Sequence, residues 1–246
     1  MSVFGIPIEG SGFEDIQARI ETGAGAAWIV TANPEILIEA KKNDAYKEAL
    51  KDADVRTVDG FGLYFFERFV LRRKIVRLTG VELSEKLIAM AEKKDWKLGL
   101  FGGSAESRTA LIAAEKLREI YPRLQVHPES GGSVSPSGED DSAGEEAKHR
   151  MTLFEPDVLL VALGHPKQEF WIQRNKDQFP HLKVVVGVGG TLDFFAGNVI
   201  RAPNWMRGVG LEWLWRLLQE PKRIGRIFRA VIIFPFAALF DLLQSK

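Results

Sequence analysis

With 246 residues the chain can bury a sizeable core, and one α/β domain with an appendage is the economical organisation. Lys and Arg number 33 and so do Asp and Glu, and a net charge of zero excludes a global attraction to nucleic acid. The absence of cysteine excludes disulfides, thiolate metal sites and cysteine nucleophiles, and is compatible with a reducing cytoplasm.

Residues 1–10 hold no basic stretch followed by an apolar run, so a secretory signal is not expected. A short apolar run at 27–31 predicts a strand, and Thr31-Ala32-Asn33-Pro34-Glu35 then predicts a helix over 34–42. Pro34 suits its first turn and Thr31 or Asn33 can cap it. Capping and ligand binding explain these two side chains equally well. Asp52 and Asp54 make a literal Asp-x-Asp, but the pair precedes the next predicted strand, 55–58, so a solvated helix end is expected there rather than a metal site. Asp59-Gly60 follows that strand and puts a carboxylate at the mouth of the sheet, where a turn-forming Asp is the plainer reading.

A helical pattern over 81–94 and a strand over 97–101 come next. The strand runs into Gly102-Gly103-Ser104 ahead of a helix predicted over 105–120, a turn whose open backbone can approach a phosphate, though any tight strand-to-helix turn needs glycine. A strand is expected at 124–127, and a Ser-, Gly- and acid-rich surface loop over 129–144. The apolar run 158–163 leads into Gly164-His165-Pro166-Lys167-Gln168-Glu169, a polar cluster at the start of a helix over 166–176 and too dense for capping alone. His165 by itself reads as a surface or capping residue. The last strand, 183–188, leads into Gly187-Val188-Gly189-Gly190 and Asp193, which do not complete a dinucleotide fingerprint. The four histidines lack zinc-ligand spacing.

From Arg201 the character changes. Residues 201–229 carry seven Lys and Arg against Glu212 and Glu220, interleaved with Trp205, Trp213, Trp215 and aliphatic residues. The charge-free run 230–240 that follows is too short to span a bilayer. Strands alternating with helices predict a Rossmann-like, doubly wound α/β fold with a mostly parallel sheet, over residues 1–200, and a basic amphipathic helical appendage over 201–246. In such sheets ligands bind beyond the carboxyl ends of the strands.

Together these segments resemble the WecG/TagA/CpsF family of glycosyltransferases over almost the whole chain. The likeness rests on Thr31 to Glu35, Asp59-Gly60, Arg77-Leu78-Thr79-Gly80, Phe101 to Gly103, Leu163 to Glu169, Gly187 to Gly190, Asp193-Phe194 with Ala196-Gly197, Arg201-Ala202-Pro203 and Gly210 to Trp213, all in order. The resemblance implies an inverting enzyme that transfers N-acetylmannosamine from its UDP form to undecaprenyl-diphospho-N-acetylglucosamine in cell-surface polymer synthesis, with UDP-glucose as an alternative donor. A non-catalytic, membrane-tethered nucleotide-binding protein is the reading from another class. The resemblance implies Asp59 as the general base, Gly102 and Gly103 as a backbone cradle for the nucleotide, and Asp193 near the nucleoside. Thr31, Asn33, Arg77 and Gln168 match positions lining the family's pocket, and Gly164, Lys167 and Glu169 join them as substrate-binding candidates. The appendage is expected to lie on an anionic membrane surface, on the cytoplasmic face, and to complete the site with Arg207, Arg216 and Arg223. Neither a metal nor another cofactor is expected, nor a nucleic-acid partner, while a homo-oligomer fits. Two positions depart from the family pattern: Glu82 stands where relatives carry Asp, and the loop 128–133 lacks their aromatic residue.

Overall fold

The computed structural model describes residues 2–23, 25–106, 108–208, 210–221 and 224–244. An antiparallel pair, β1 (Ser2–Val3) and β2 (Ile6–Pro7), precedes the main sheet. The sheet consists of β3 (Ala27–Ala32), β4 (Val55–Val58), β5 (Lys97–Gly102), β6 (Gln125–Glu129), β7 (Val158–Ala162) and β8 (Val184–Gly187), all parallel in the order β4-β3-β8-β7-β5-β6. The helices are α1 (Phe13–Thr22), α2 (Pro34–Lys42), α3 (Asp44–Asp52), α4 (Phe61–Phe65, continued as a π-helix Phe66–Val70), α5 (Gly80–Lys93), α6 (Thr109–Ile120), α7 (Ser142–Phe154), α8 (Lys167–Asn175), α9 (Thr191–Ala196), α10 (Asn204–Gly208), α11 (Glu212–Gln219) and α12 (Ile224–Gln244).

Burial of both faces explains why the strands are apolar throughout rather than alternating. In β3, Trp28, Val30 and Ala32 enter one core cluster and Ala27 and Ile29 the other; in β7, Leu159 and Val161 face the first and Val158 and Leu160 the second. Leu37 of α2, Tyr46 of α3 and Trp171 of α8 fill the first cluster, whereas Ile16 of α1, Leu87 of α5, Ala113 of α6 and Leu192 of α9 fill the second. The expected doubly wound fold is therefore present. Two expectations are corrected. The surface loop expected over 129–144 ends at Asp141, which caps α7 by accepting from the Gly144 N–H at 2.8 Å, and inside it Val134 is buried. The helix expected from 105 begins only at Thr109.

The third correction concerns the C-terminus. The apolar run at 230–240 belongs to α12, a continuous helix of 21 residues that by length and composition alone is long and apolar enough to cross a membrane. In the structure it folds back on the domain instead. Phe234 and Ala238 are buried in the first core cluster, Phe234 meets Phe4 and Phe66 edge-on at centroid distances of 6.1 and 6.0 Å, and the Asp241 carboxylate accepts the Phe4 N–H at 3.2 Å. The opposite stripe, including Phe228, Ile232, Phe236 and Phe240, is exposed.

Candidate active site

A crevice of about 280 Å³ opens beyond the carboxyl ends of β3, β4 and β8. Its floor is polar. Thr31, at the end of β3, donates its hydroxyl to the Gly187 carbonyl at 3.0 Å and so ties β3 to β8. Asn33 lines the crevice and caps α2, its side-chain oxygen accepting the N–H groups of Glu35 and Ile36 at 2.9 and 3.1 Å, while its amide nitrogen has no partner among the described residues. Capping and availability to a ligand thus coexist in one side chain.

Asp59 follows β4 and lines the same crevice. Beside it the chain returns: Arg77 pairs with Val58 in a single parallel bridge, and the Leu78 N–H donates to the Val58 carbonyl at 3.0 Å. That register delivers the N–H of Gly80, at the start of α5, to the Asp59 carboxylate at 3.1 Å. Burial raises the Asp59 pKa to about 6, the Gly80 N–H opposes that rise, Glu212 adds to it, Arg77 opposes it and Glu82 adds to it. Asp59 is therefore a carboxylate that is ionised at neutral pH yet basic enough to take a proton.

Gln168 is 2% exposed and forms the wall of the crevice next to β8. Its side-chain oxygen accepts the Gly189 N–H at 3.0 Å and its amide donates to Glu169 at 2.7 Å. A Cβ at Gly187 would stand 2.7 Å from that amide, so glycine there is what admits Gln168. Glu169, expected among the binding residues, lies behind the wall instead: it is 1% exposed, accepts the Tyr46 hydroxyl at 2.9 Å, and burial pushes its pKa up to about 7. The sequence marked it as polar, but only packing reveals that its helical turn points it into the core.

The opposite wall is the appendage. Gly210 has φ +78 and a Cβ there would fall 2.2 Å from the Phe61 ring, so glycine lets the chain cross that aromatic side chain. Beyond it Trp213 and Arg216 of α11 and Arg226, Ile227 and Ala230 of α12 line the crevice. The arginines are held by carboxylates: Arg216 by Glu220 at 2.9 Å, with its guanidinium 4.8 Å from the Phe194 ring centre, and Arg226 by Glu35 at 2.6 Å. Arg77 stands 3.8 Å from Glu212 and donates to the Arg207 carbonyl at 3.3 Å. Arg207 is not among the residues lining the crevice; it stands 3.8 Å from Glu82, which also meets Arg201 at 3.3 Å and completes the α5 capping box with Thr79. The unusual Glu82 is thus engaged by two arginines from the tail. Arg223 lies outside the described residues.

A second recess, of about 420 Å³, shares Gly189 and Gly190 with the crevice and is lined by Gly103, Ser104, Gly164, Lys167 and Asp193. The Asn198 amide holds the Asp193 carboxylate at 3.2 Å. Gly102 stands behind this recess: a Cβ there would lie 2.7 Å from the Ala162 carbonyl oxygen, so it serves the approach of β5 to β7. Since α6 starts at Thr109, its N-terminus does not directly follow the glycine pair.

Sequence reasoning missed Glu35, Glu212 and Arg226, whose meaning comes only from partners far away in the chain, and set aside His165. Its ring nitrogen lies 3.8 Å from the Glu35 carboxylate; burial lowers its pKa, Glu35 opposes that and Arg226 adds to it. Asp52 accepts from Gln173 at 2.6 Å and Asp54 from the Trp28 N–H at 2.8 Å, as suits a helix end. Among the described residues no three His, Asp or Glu side chains converge to hold a metal ion.

A model of the glycosyl transferase WecG/TagA/CpsF family matches residues 1–246. The chain is 34% identical over 201 residues, 82% of its length and 74% of the relative's, to the N-acetylglucosaminyldiphosphoundecaprenol N-acetyl-β-D-mannosaminyltransferase of Bacillus spizizenii W23. It is 35% identical over 209 residues, 85% of its length and 78% of the relative's, to the protein of the same name from Staphylococcus aureus MRSA252.

Proposed function

The chain belongs to the WecG/TagA/CpsF family of glycosyl transferases, and from that premise we propose that it transfers N-acetylmannosamine from UDP-N-acetylmannosamine, with inversion, to undecaprenyl-diphospho-N-acetylglucosamine at the inner face of the cell membrane. The glycosyltransferase activity itself follows from the family and from relatives of that activity over most of the chain. The donor, the stereochemistry and the roles of individual residues are this reading's own.

The observation that carries it is Asp59, a carboxylate of raised basicity set in the floor of a crevice whose facing wall is cationic. In the proposed step the acceptor hydroxyl gives its proton to Asp59 while its oxygen attacks the anomeric carbon. The bond from that carbon to the UDP oxygen breaks on the opposite face, and the electron pair leaves with UDP. A diphosphate is already a stable anion and needs no acid, but its growing charge needs neutralising. Arg77, Arg216 and Arg226 face the crevice, and exchanging Glu220 and Glu35 for phosphate oxygens would free the last two for that task. This division of labour calls on no metal. The recess beyond Gly189 and Gly190 is assigned to the nucleoside, with Lys167 and Asp193 on its rim. The amide of Gln168 and the free amide nitrogen of Asn33 are assigned to the sugars. The exposed stripe of α12 is assigned to the membrane interface, which keeps the crevice within reach of a lipid-linked acceptor.

The test is UDP release across a panel of UDP-sugars with a short-chain polyprenyl-diphospho-N-acetylglucosamine. The reading expects release to be greatest with UDP-N-acetylmannosamine and to require the acceptor. Preference for UDP-glucose would replace the donor and keep the chemistry. Acceptor-independent background with every donor, unchanged by Asp59→Asn, would turn the protein into a non-catalytic nucleotide binder.

A further inference from the structure

The appendage is not the only apolar surface beside the crevice. Helix α4 starts at Phe61, which lines the crevice, and runs outward as an aromatic ladder: the Phe61 and Phe65 rings are 6.2 Å apart, and those of Phe65 and Phe69 are 4.9 Å apart. The helix buries Leu63 and Phe66, while Phe65 and Val70 are exposed and Phe69 is 60% exposed. Phenylalanines that touch each other in water, on a helix whose other side already supplies its core contacts, are not needed by the fold. The chain then turns through Arg72, with φ +54, into a short basic segment. Arg68, Arg72 and Lys74 are exposed and none has an ion-pair partner among the described residues, unlike the arginines of the crevice, each of which meets a carboxylate.

This patch belongs to a helix packed against α12. The two helices bury their inner stripes in the same core cluster, where Phe66 meets Phe234 and Gly62 lies against the Ala230 carbonyl. Packed on one core, both helices leave their outer stripes exposed, Phe65 and Phe69 on one and Phe236 and Phe240 on the other. Phe61 of α4 and Ile227 and Ala230 of α12 all line the crevice.

We infer that α4 and the basic turn after it form a second membrane-docking element, which seats the crevice mouth on an anionic bilayer together with α12. The occupant is a lipid surface and not another protein because the patch combines inserted-type aromatic residues with unpaired cations at its edge, the composition suited to acyl chains below and anionic headgroups beside them. It also explains why an aromatic ladder should begin inside the crevice: two helices on the interface both line it, so a polyprenyl chain can stay among acyl chains while its diphosphate reaches Arg216. This inference rests on the proposed lipid-linked acceptor.

The absence of cysteine permits a direct test on the full chain. Phe69→Cys, Phe236→Cys and, as a control on the exposed end of α6, Ile120→Cys are each labelled with an environment-sensitive fluorophore. They are then mixed with phosphatidylglycerol/phosphatidylcholine vesicles carrying bromine on the acyl chains. The inference expects the labels at 69 and 236 to shift to the blue and be quenched, and the label at 120 to do neither. It also expects the double variant Arg68→Glu/Arg72→Glu to lower partition onto these vesicles on the order of tenfold. A label at 69 that behaves like the one at 120 while the label at 236 inserts would overturn it, leaving the tail as the only anchor. A shift at 69 that needs no lipid and grows with protein concentration would also overturn it, by assigning the face to a second copy of the chain. Loss of sugar transfer with every donor would sink the catalytic reading and leave these fluorescence outcomes readable.

Discussion

The two walls of the crevice are built on different principles. The floor and the wall beside β8 are made of strand ends and the start of α8: Thr31, Asn33, Asp59 and Gln168 are short or buried side chains, each fixed by a hydrogen bond to the main chain within about 3 Å. The tail wall is made of long arginines, Arg216 of α11 and Arg226 of α12, paired with the carboxylates Glu220 and Glu35 on helices with solvent-exposed outer sides. A floor fixed by backbone amides can hold a base at constant geometry. A wall of ion pairs can exchange partners when a diphosphate enters, and ion pairs with this much solvent access contribute little to the fold. On the proposed reading, catalysis is preorganised on one side, while the other is adaptable and tied to the membrane.

The largest break in that contrast comes from the floor. Asp59→Asn should lower turnover by about a thousandfold, as removal of a general base does. Because the folded pKa of Asp59 is raised, its stabilising contribution exists at low pH and is lost as pH climbs from the ordinary carboxylate range through about 6. The asparagine variant should therefore match or exceed the parent at neutral pH, with a Tm higher by ~2–4 °C for each ~1 kcal/mol relieved. A large fall in Tm on calorimetry would show that Asp59 is there for its turn.

Breaking the tail wall should cost less. Truncation before Gly210 removes α11 and α12 and should weaken vesicle binding more than loss of the α4 cations does and lower transfer by roughly a hundredfold, with a folded core still visible by circular dichroism. Unchanged activity would take the tail out of the mechanism. A single arginine sharpens the comparison further: Arg216→Ala should lower kcat/KM about ten- to a hundredfold, and Arg216→Lys should restore only part because the bidentate fork is lost. The smallest expected effect lies behind the floor. Glu169 is buried with a pKa of about 7, so its contribution to stability is lost as pH rises from the ordinary carboxylate range to about 7. The parent protein should melt lower at pH 8 than at pH 6, and Glu169→Gln should flatten that difference by about 1 kcal/mol.

The same contrast explains what the sequence revealed. All six sheet strands were legible within one or two residues, because burial on both faces leaves continuous apolar runs such as 158–162. The crevice residues Thr31, Asn33, Asp59, Arg77, Gln168 and Arg216 came from the family resemblance, because strand-end patterns alone left Thr31 and Asn33 divided between capping and binding and made Asp59 a turn residue. Helix α7 was hidden by the Ser, Gly and acid content around its cap at Asp141. Helix α12 was cut short in reading because Arg226 and Arg229 interrupt the apolar run without interrupting the helix. The burial of Glu169 and the grip of Glu35 on Arg226 depend on contacts 123 and 191 residues apart in sequence, and no local pattern carries them.

The base itself can be tested through the pH dependence of kcat/KM for the parent protein, between pH 5 and 8, with UDP-N-acetylmannosamine and a short-chain polyprenyl-diphospho acceptor. A carboxylate at Asp59 poised near 6 predicts a profile level above that point and falling about tenfold per pH unit below it. A profile that stays level down to pH 5, in an enzyme still folded there, would contradict Asp59 as the group that takes the acceptor's proton.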